Sequence, residues 1–127
     1  MNHWLDQVKW NSDGLAPVIT QDYRSKQVLT LAWINRQALQ LCSETGHAVY
    51  WSRSRQKIWH KGEQSGHQQL IKAIRLDCDN DAILLEVEQV GGIACHTGRV
   101  HCFFQLLQDG QWQTVEPVVK DPKEIYS

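Results

Sequence analysis

A chain of 127 residues with 42% hydrophobic and 21% charged residues and six Trp has the size of one domain and enough apolar side chain to pack a core. That excludes global disorder and a second catalytic domain. Thirteen Lys and Arg against 14 Asp and Glu leave a net charge of -1, so nothing draws the whole surface to nucleic acid or an anionic membrane, and any anion site is local.

The opening MNHWLDQ has no basic segment followed by an apolar run, and the longest aliphatic stretch, residues 82–85, is far too short to span a bilayer. VLTLAW (28–33) is the first expected strand. A helix follows, with Asn35 as N-cap, Leu39 and Cys42 at helical spacing, and Gly46 where a left-handed C-terminal residue is wanted. AVYWS (48–52), QLIKAIRL (69–76), AILLEVEQ (82–89) and CFFQLL (102–107) read as further strands, rich in β-branched, aromatic or alternating apolar residues. Gly91 and Gly92 break the chain, and Asp109-Gly110 is the dipeptide of a tight hairpin turn. From Pro117 the pattern leaves order or fraying open. With no repeat and no linker, the expectation is a single domain over 1–127, mainly β with one or two helices (α+β), and a C-terminal extension over 117–127.

Charge is unevenly laid out. From Tyr50 to Arg75 there are six basic side chains (Arg53, Arg55, Lys57, Lys61, Lys72, Arg75) against Glu63 alone, whereas residues 76–90 hold five acidic ones and no Lys or Arg. The plainer reading is solvated strand faces; the sharper one sets an anion site beside a cation site. In the segment YWSRSRQKIWHKGEQSGH, aromatic rings alternate with Arg53, Arg55 and Lys61 and are followed by Gly62, Ser65 and Gly66. Guanidinium forks, close-approaching backbone amides and a stacking face suit a phosphate-bearing aromatic ligand.

DCDND alternates Asp77, Asp79 and Asp81 with Cys78 and Asn80, so an extended backbone puts three carboxylates on one face and Cys78 on the other. Such carboxylates repel unless neutralised, and hard oxygen donors suit Mg²⁺ or Ca²⁺. An EF-hand is defeated at its sixth position, where Ala82 replaces the required Gly. Four cysteines in a reducing compartment read as thiols or metal ligands rather than disulfides, with a cytoplasmic location expected. Cys78, Cys95 and Cys102 are separated by sixteen and six residues, not the CxxC spacing of zinc ribbons, so spacing alone leaves buried thiols and metal ligands both open. Cys42 belongs to the apolar stripe of the helix. His96, next to Cys95, faces away from it in an extended segment, as an acid or base would.

The blocks GLAPVITQD, YWSRSR, WHKGEQSGHQQ, DCDND and ACHTGRVHCF, in that order over about 14–104, resemble the phosphoribosyl-AMP cyclohydrolases of histidine biosynthesis. The resemblance implies a cytoplasmic homodimer of compact, mainly β subunits with a mixed sheet closing toward a pseudo-barrel. It implies one Zn²⁺ per subunit on Cys78, Cys95 and Cys102, with Cys78 supplied by the partner chain, and Mg²⁺ on Asp77, Asp79 and Asp81. The reaction expected is hydrolysis of the N1–C6 bond of the adenine ring of N1-(5-phosphoribosyl)-AMP. Zinc-activated water would attack C6, and His96, then His67, are the candidates for moving the proton, with Glu63 left open. Arg53, Arg55, Lys61 and Ser65 are the expected substrate-binding residues, and neither nucleic acid nor membrane is an expected partner. Thr30 and Ile34 stand where the family usually carries Met, and both read as core positions. Some relatives have a fused pyrophosphohydrolase domain; none is expected here. The rival reading is a zinc-stabilised nucleotide- or nucleic-acid-binding module, which calls for a closed four-ligand site and a more basic chain.

Overall fold

Alternation of buried and exposed residues sets up the strands of the fold. In β1 (Leu15–Asp22), Val18 and Thr20 point inward while Ile19 faces out, and β6 (Ile83–Gln89) buries Ile83, Leu85 and Val87 in the same way. The structure, a computed structural model, describes residues 3–125. The other strands are β2 (Val28–Asn35), β3 (Val49–Ser52), β4 (Lys57–His60), β5 (Gln69–Leu76), β7 (Gln105–Gln108) and β8 (Gln111–Thr114). The helices are α1 (His3–Asp6), α2 (Arg36–Thr45) and α3 (Pro122–Ile125), with one 3₁₀ turn at Val90–Gly92. The molecule is therefore mainly β, as expected.

Six strands form one mixed sheet in the order β4-β3-β2-β1-β6-β5, in which only β1 and β6 run parallel. The sheet curls into a half-barrel. A bridge between His47 and Leu70 joins the segment entering β3 to β5, reinforced by Ala48 N–H donating to Gln69 O at 2.9 Å and Ile71 N–H to Gly46 O at 2.7 Å. Helix α2 packs Ala38, Leu39 and Cys42 against this curl. Asn35 caps it by accepting from Ala38 N–H at 2.8 Å, and Gly46, at φ 74°, ends it by donating to Cys42 O.

Two strands give little sequence signal. β1 carries Pro17, but the ladder to β6 begins only at Val18, so the missing N–H lies before the stretch paired on both sides. β4 is the four residues KIWH, recruited by pairing to β3. The strand expected over 102–107 starts only at Gln105. Ahead of it the amides are diverted, Cys102 N–H to Leu29 O at 2.7 Å and Phe103 N–H to the His101 Nδ1 at 3.1 Å.

Polar groups cross the interior of the curl. The Tyr50 hydroxyl, 1% exposed, donates to Gln69 Oε1 and lies 2.7 Å from Thr20 Oγ1. Gln69 Nε2 donates to Gln89 Oε1 at 2.8 Å, and Gln89 Nε2 donates to His67 O at 3.0 Å. Burial pushes the Tyr50 hydroxyl pKa up, so it stays protonated and able to donate. Tyr50→Phe removes the shared partner of Thr20 and Gln69, both fully buried. It should cost about 1–3 kcal/mol, read as a lower urea midpoint with an unchanged m-value.

Candidate functional site

The loop after β4 and the loop after β6 meet at one end of the curl. Lys61 holds them together: its N–H donates to Ala48 O at 3.2 Å and its Nζ to Ala94 O at 2.6 Å. Next to Ala94, residues 95–98 form a turn closed by Gly98 N–H donating to Cys95 O at 3.0 Å. His96 and Thr97 therefore sit on a turn rather than in the extended segment expected; His96 is exposed, and the Thr97 hydroxyl lies 2.9 Å from Cys95 Sγ.

Cys95 and Cys102 lie side by side, close enough for their thiols to hydrogen bond. Burial is the main influence raising the Cys102 pKa, opposed by the Thr30 hydroxyl and by the Lys61 charge. Of the two residues read as core, Ile34 is fully buried, whereas Thr30 is only partly buried and lies near enough to Cys102 to lower that thiol's pKa. Burial pulls the Lys61 pKa down, and the two thiols act against that. Two soft donors with a cation beside them are a fitting, though partial, site for a zinc-like ion. Cys42 stays apart, between Val49 N–H and Val49 O, with burial raising its pKa to about 11.

Arg55, Lys61, Glu63 and Ser65 line a cleft floored by Trp59, over whose ring the Lys61 ammonium sits at 5.3 Å. Arg53 does not line it; its guanidinium stacks 4.6 Å from the Trp33 ring on the exposed β3–β4 hairpin. Ser65 Oγ accepts from His67 N–H at 3.2 Å, and the His67 ring packs against Gly91, where a Cβ would lie only 2.7 Å from Cδ2. Burial, then the charges of Lys120 and Lys61, hold the His67 pKa below its usual value, so the imidazole stays neutral.

The acidic motif lies elsewhere. DCDND is a turn, not a strand, with Asn80 at φ 64° and Asp77 accepting from Asp81 N–H and Ala82 N–H at 3.0 and 3.1 Å. The turn brings oxygens of Asp77, Asp79 and Asp81 within 4.8 Å of one another. A hydrogen bond that protonated Asp81 donates to Asp79, then desolvation and the charges of Asp79 and Asp77, raise the Asp81 pKa, the mark of crowded carboxylates. Such a set of hard oxygens fits Mg²⁺. β5 separates this turn from His67, and its seven residue steps span about 23 Å at ~3.3 Å each. Cys78 is exposed there, and among the described residues the three aspartates are the one group of three close enough to share an ion. One chain does not bring Cys78 to Cys95 and Cys102.

Sequence reasoning missed Thr97, Lys120 and the Tyr50–Gln69–Gln89 chain. Thr97 lies inside the ACHTGRVHCF block and was within reach; buried hydroxyls and amides leave no periodic trace.

Comparison with known proteins identifies the family of the chain. The sequence model of the family described as phosphoribosyl-AMP cyclohydrolase matches residues 30–104. Curated relatives named phosphoribosyl-AMP cyclohydrolase include one from Azoarcus sp. (strain BH72), 64% identical over 125 residues covering 98% of this chain and 95% of the relative. Another, from Methylococcus capsulatus, is 60% identical over 126 residues, 99% and 98% of the two chains. One from Pseudomonas fluorescens, named phosphoribosyl-AMP cyclohydrolase 1, is 58% identical over 127 residues, 100% and 98% of the two. With the thiol pair, the basic cleft and the acidic turn all falling in or beside the matched segment, the chain belongs to the phosphoribosyl-AMP cyclohydrolase family.

Proposed function

We propose that the protein hydrolyses the N1–C6 bond of the adenine ring of N1-(5-phosphoribosyl)-AMP, opening the purine in histidine biosynthesis. The observation that carries this reading is the convergence of the Cys95–Cys102 pair, Lys61 and the Trp59-floored cleft in a chain of this family. Cys95 and Cys102 with Cys78 of the partner subunit would hold zinc, and Asp77, Asp79 and Asp81 would hold magnesium. When bound, zinc supplies an acidified water near neutral pH and magnesium offsets phosphate charge.

The protein side chains divide the remaining work. Trp59 offers its face to the adenine, and Arg55, with Ser65, donates to phosphate oxygens. Arg53, stacked on Trp33 outside the cleft, would meet a substrate phosphate only by swinging off that ring. His96, exposed on the turn that carries Cys95, moves the proton from water to the departing N1. His67, held neutral beside Gly91, hydrogen bonds without adding charge. Cytoplasmic residence fits four free thiols, and among the described residues no helix is long and apolar enough to cross a membrane.

A homodimer completes the site. Ile19 and Leu31, 36% and 49% exposed, pair across β1 and β2, and Leu84 pairs with Ile19 from β6. With Leu76 they form an outward apolar face adjoining the DCDND turn. Docking two such faces would set Cys78, exposed just beyond the end of β5, against the other chain.

Purified protein should hold about one zinc per chain tightly and magnesium loosely. Mild chelation should be reversed by Mg²⁺ and deeper stripping only by zinc, with turnover followed by the ultraviolet change on adding phosphoribosyl-AMP; full activity in zinc-free protein contradicts the reading. Cys78→Ala and the Cys95→Ala, Cys102→Ala double mutant should each be inactive alone. Their exchanged mixture should regain about a quarter of wild-type activity, since half the dimers are mixed and each has one intact site. No regain, with subunit exchange verified by mass, excludes the shared site.

A pH profile assigns the proton. His67 takes its proton at a lower pH than an ordinary imidazole, because burial and the charges of Lys120 and Lys61 disfavour the cation. His96→Asn should lower kcat about a hundredfold or more, whereas His67→Asn should cost about tenfold or less. An acid limb of kcat/KM that lies below the ordinary imidazole range and vanishes in His67→Asn moves the role to His67.

A further inference from the structure

After β8 the chain makes no further strand, yet it is tied down. Val119 N–H and Lys120 N–H both donate to Gly98 O, at 2.8 and 3.2 Å. Arg99 Nε donates to Glu116 O at 2.9 Å, and Glu116 Oε1 lies 3.2 Å from His101 Nε2. Gly98 stands at φ 86°, and a Cβ there would collide with the Lys120 carbonyl oxygen. Residues 116–120 thus form a strap seated on the turn that carries Cys95 and His96. Val119 and Lys120 meet that turn through their backbone amides, so the Lys120 side chain is not what holds the strap there.

Lys120 and Lys61 are the two cations whose charge reaches His67. Lys61 is engaged with Ala94 O and lies against the two thiols. Lys120 is half-buried and forms no ion pair with a carboxylate among the described residues. An ammonium on a residue tied by its backbone to the Cys95 turn, with a charge that reaches the His67 imidazole and no carboxylate partner among the described residues, is suited to an anion.

We propose that Lys120 binds a phosphate group of the nucleotide substrate, so that the strap, which lies beyond the matched residues 30–104, completes the anion site. This rests on the function proposed above. The experiment uses the metal-loaded protein with Lys120→Gln and Lys120→Arg, neither of which removes a backbone bond to Gly98. In Lys120→Gln, KM should rise about tenfold with kcat within about twofold, the loss of one charge-assisted contact. Competitive inhibition by inorganic phosphate should weaken by a similar factor. Lys120→Arg should return both to within about threefold of wild type, and zinc content and melting temperature should stay unchanged in both variants.

Unchanged KM and phosphate inhibition in Lys120→Gln overturn the proposal while leaving the hydrolase reading intact. A fall in kcat together with zinc loss at constant KM also overturns it, because Lys120 is then only part of a structural strap. A wild-type protein that fails to open phosphoribosyl-AMP overturns the functional reading itself, and with it this inference.

Discussion

A chain of buried hydrogen bonds from Thr20 through Tyr50, Gln69 and Gln89 to the His67 carbonyl governs the shape of this protein. It links β1, β3, β5 and β6, including strands that are not neighbours in the sheet order. Polar atoms without solvent are costly unless paired, so each member demands the next, and the demand is met only when the sheet curls far enough for β3 to approach β5. Apolar packing of Val18, Val49, Leu85 and Val87 supplies the driving force but is tolerant of small shifts. The amide and hydroxyl chain is not tolerant, because hydrogen bonds fail with a few tenths of an ångström and a few tens of degrees.

The curl explains why the site assembles at one end. Once β3 and β5 are bridged, the loops following β4 and β6 come together, and Lys61 spans them through Ala48 O and Ala94 O. The same ammonium stands beside Cys95 and Cys102, so one cation serves both the loop geometry and the electrostatics of the thiols. At the far end of β5 the DCDND turn has no such neighbours. Its nearby cation, Arg75, is engaged with Glu86, which Lys26 meets from the other side, at 2.8 Å in each case. The basic and acidic blocks of the sequence are thus adjacent strands stitched at Glu86, while their outer members stay available for ligands.

Legibility in the sequence follows the range of the forces involved. Helix α2 was readable in full because its cap, its apolar spacing and its terminal glycine act within four residues. β5 was readable from residue 69 to 76 because its alternation is local. β1 and β4 were not, since Pro17 and the short KIWH become strands only through their partners. The aspartates converge as expected but by another route: a turn with Asn80 in the left-handed region instead of strand alternation. Asn tolerates that backbone, so the turn was a legitimate alternative within DCDND.

By itself, then, the sequence determined the class of fold, the chemistry on offer and the family: soft thiols, a basic aromatic segment and an acidic pentapeptide are written in residue identity and order. Only the tertiary structure decided which of them meet. Two cysteines six residues apart lie side by side, while Cys78 stands at the remote end of β5, a separation no spacing rule reports. Lys61 turns from the open cleft to a backbone carbonyl and the thiols, and Lys120, in a tail whose pattern left its order open, is brought against the Cys95 turn. The closing of the curl and the seating of the strap depend on backbone hydrogen bonds between residues 21 to 25 positions apart, Ala48 to Gln69, Ile71 to Gly46, and Val119 and Lys120 to Gly98. Hydrogen bonds of that kind need only an N–H and a C=O, which almost every residue carries, so they leave no mark on the sequence.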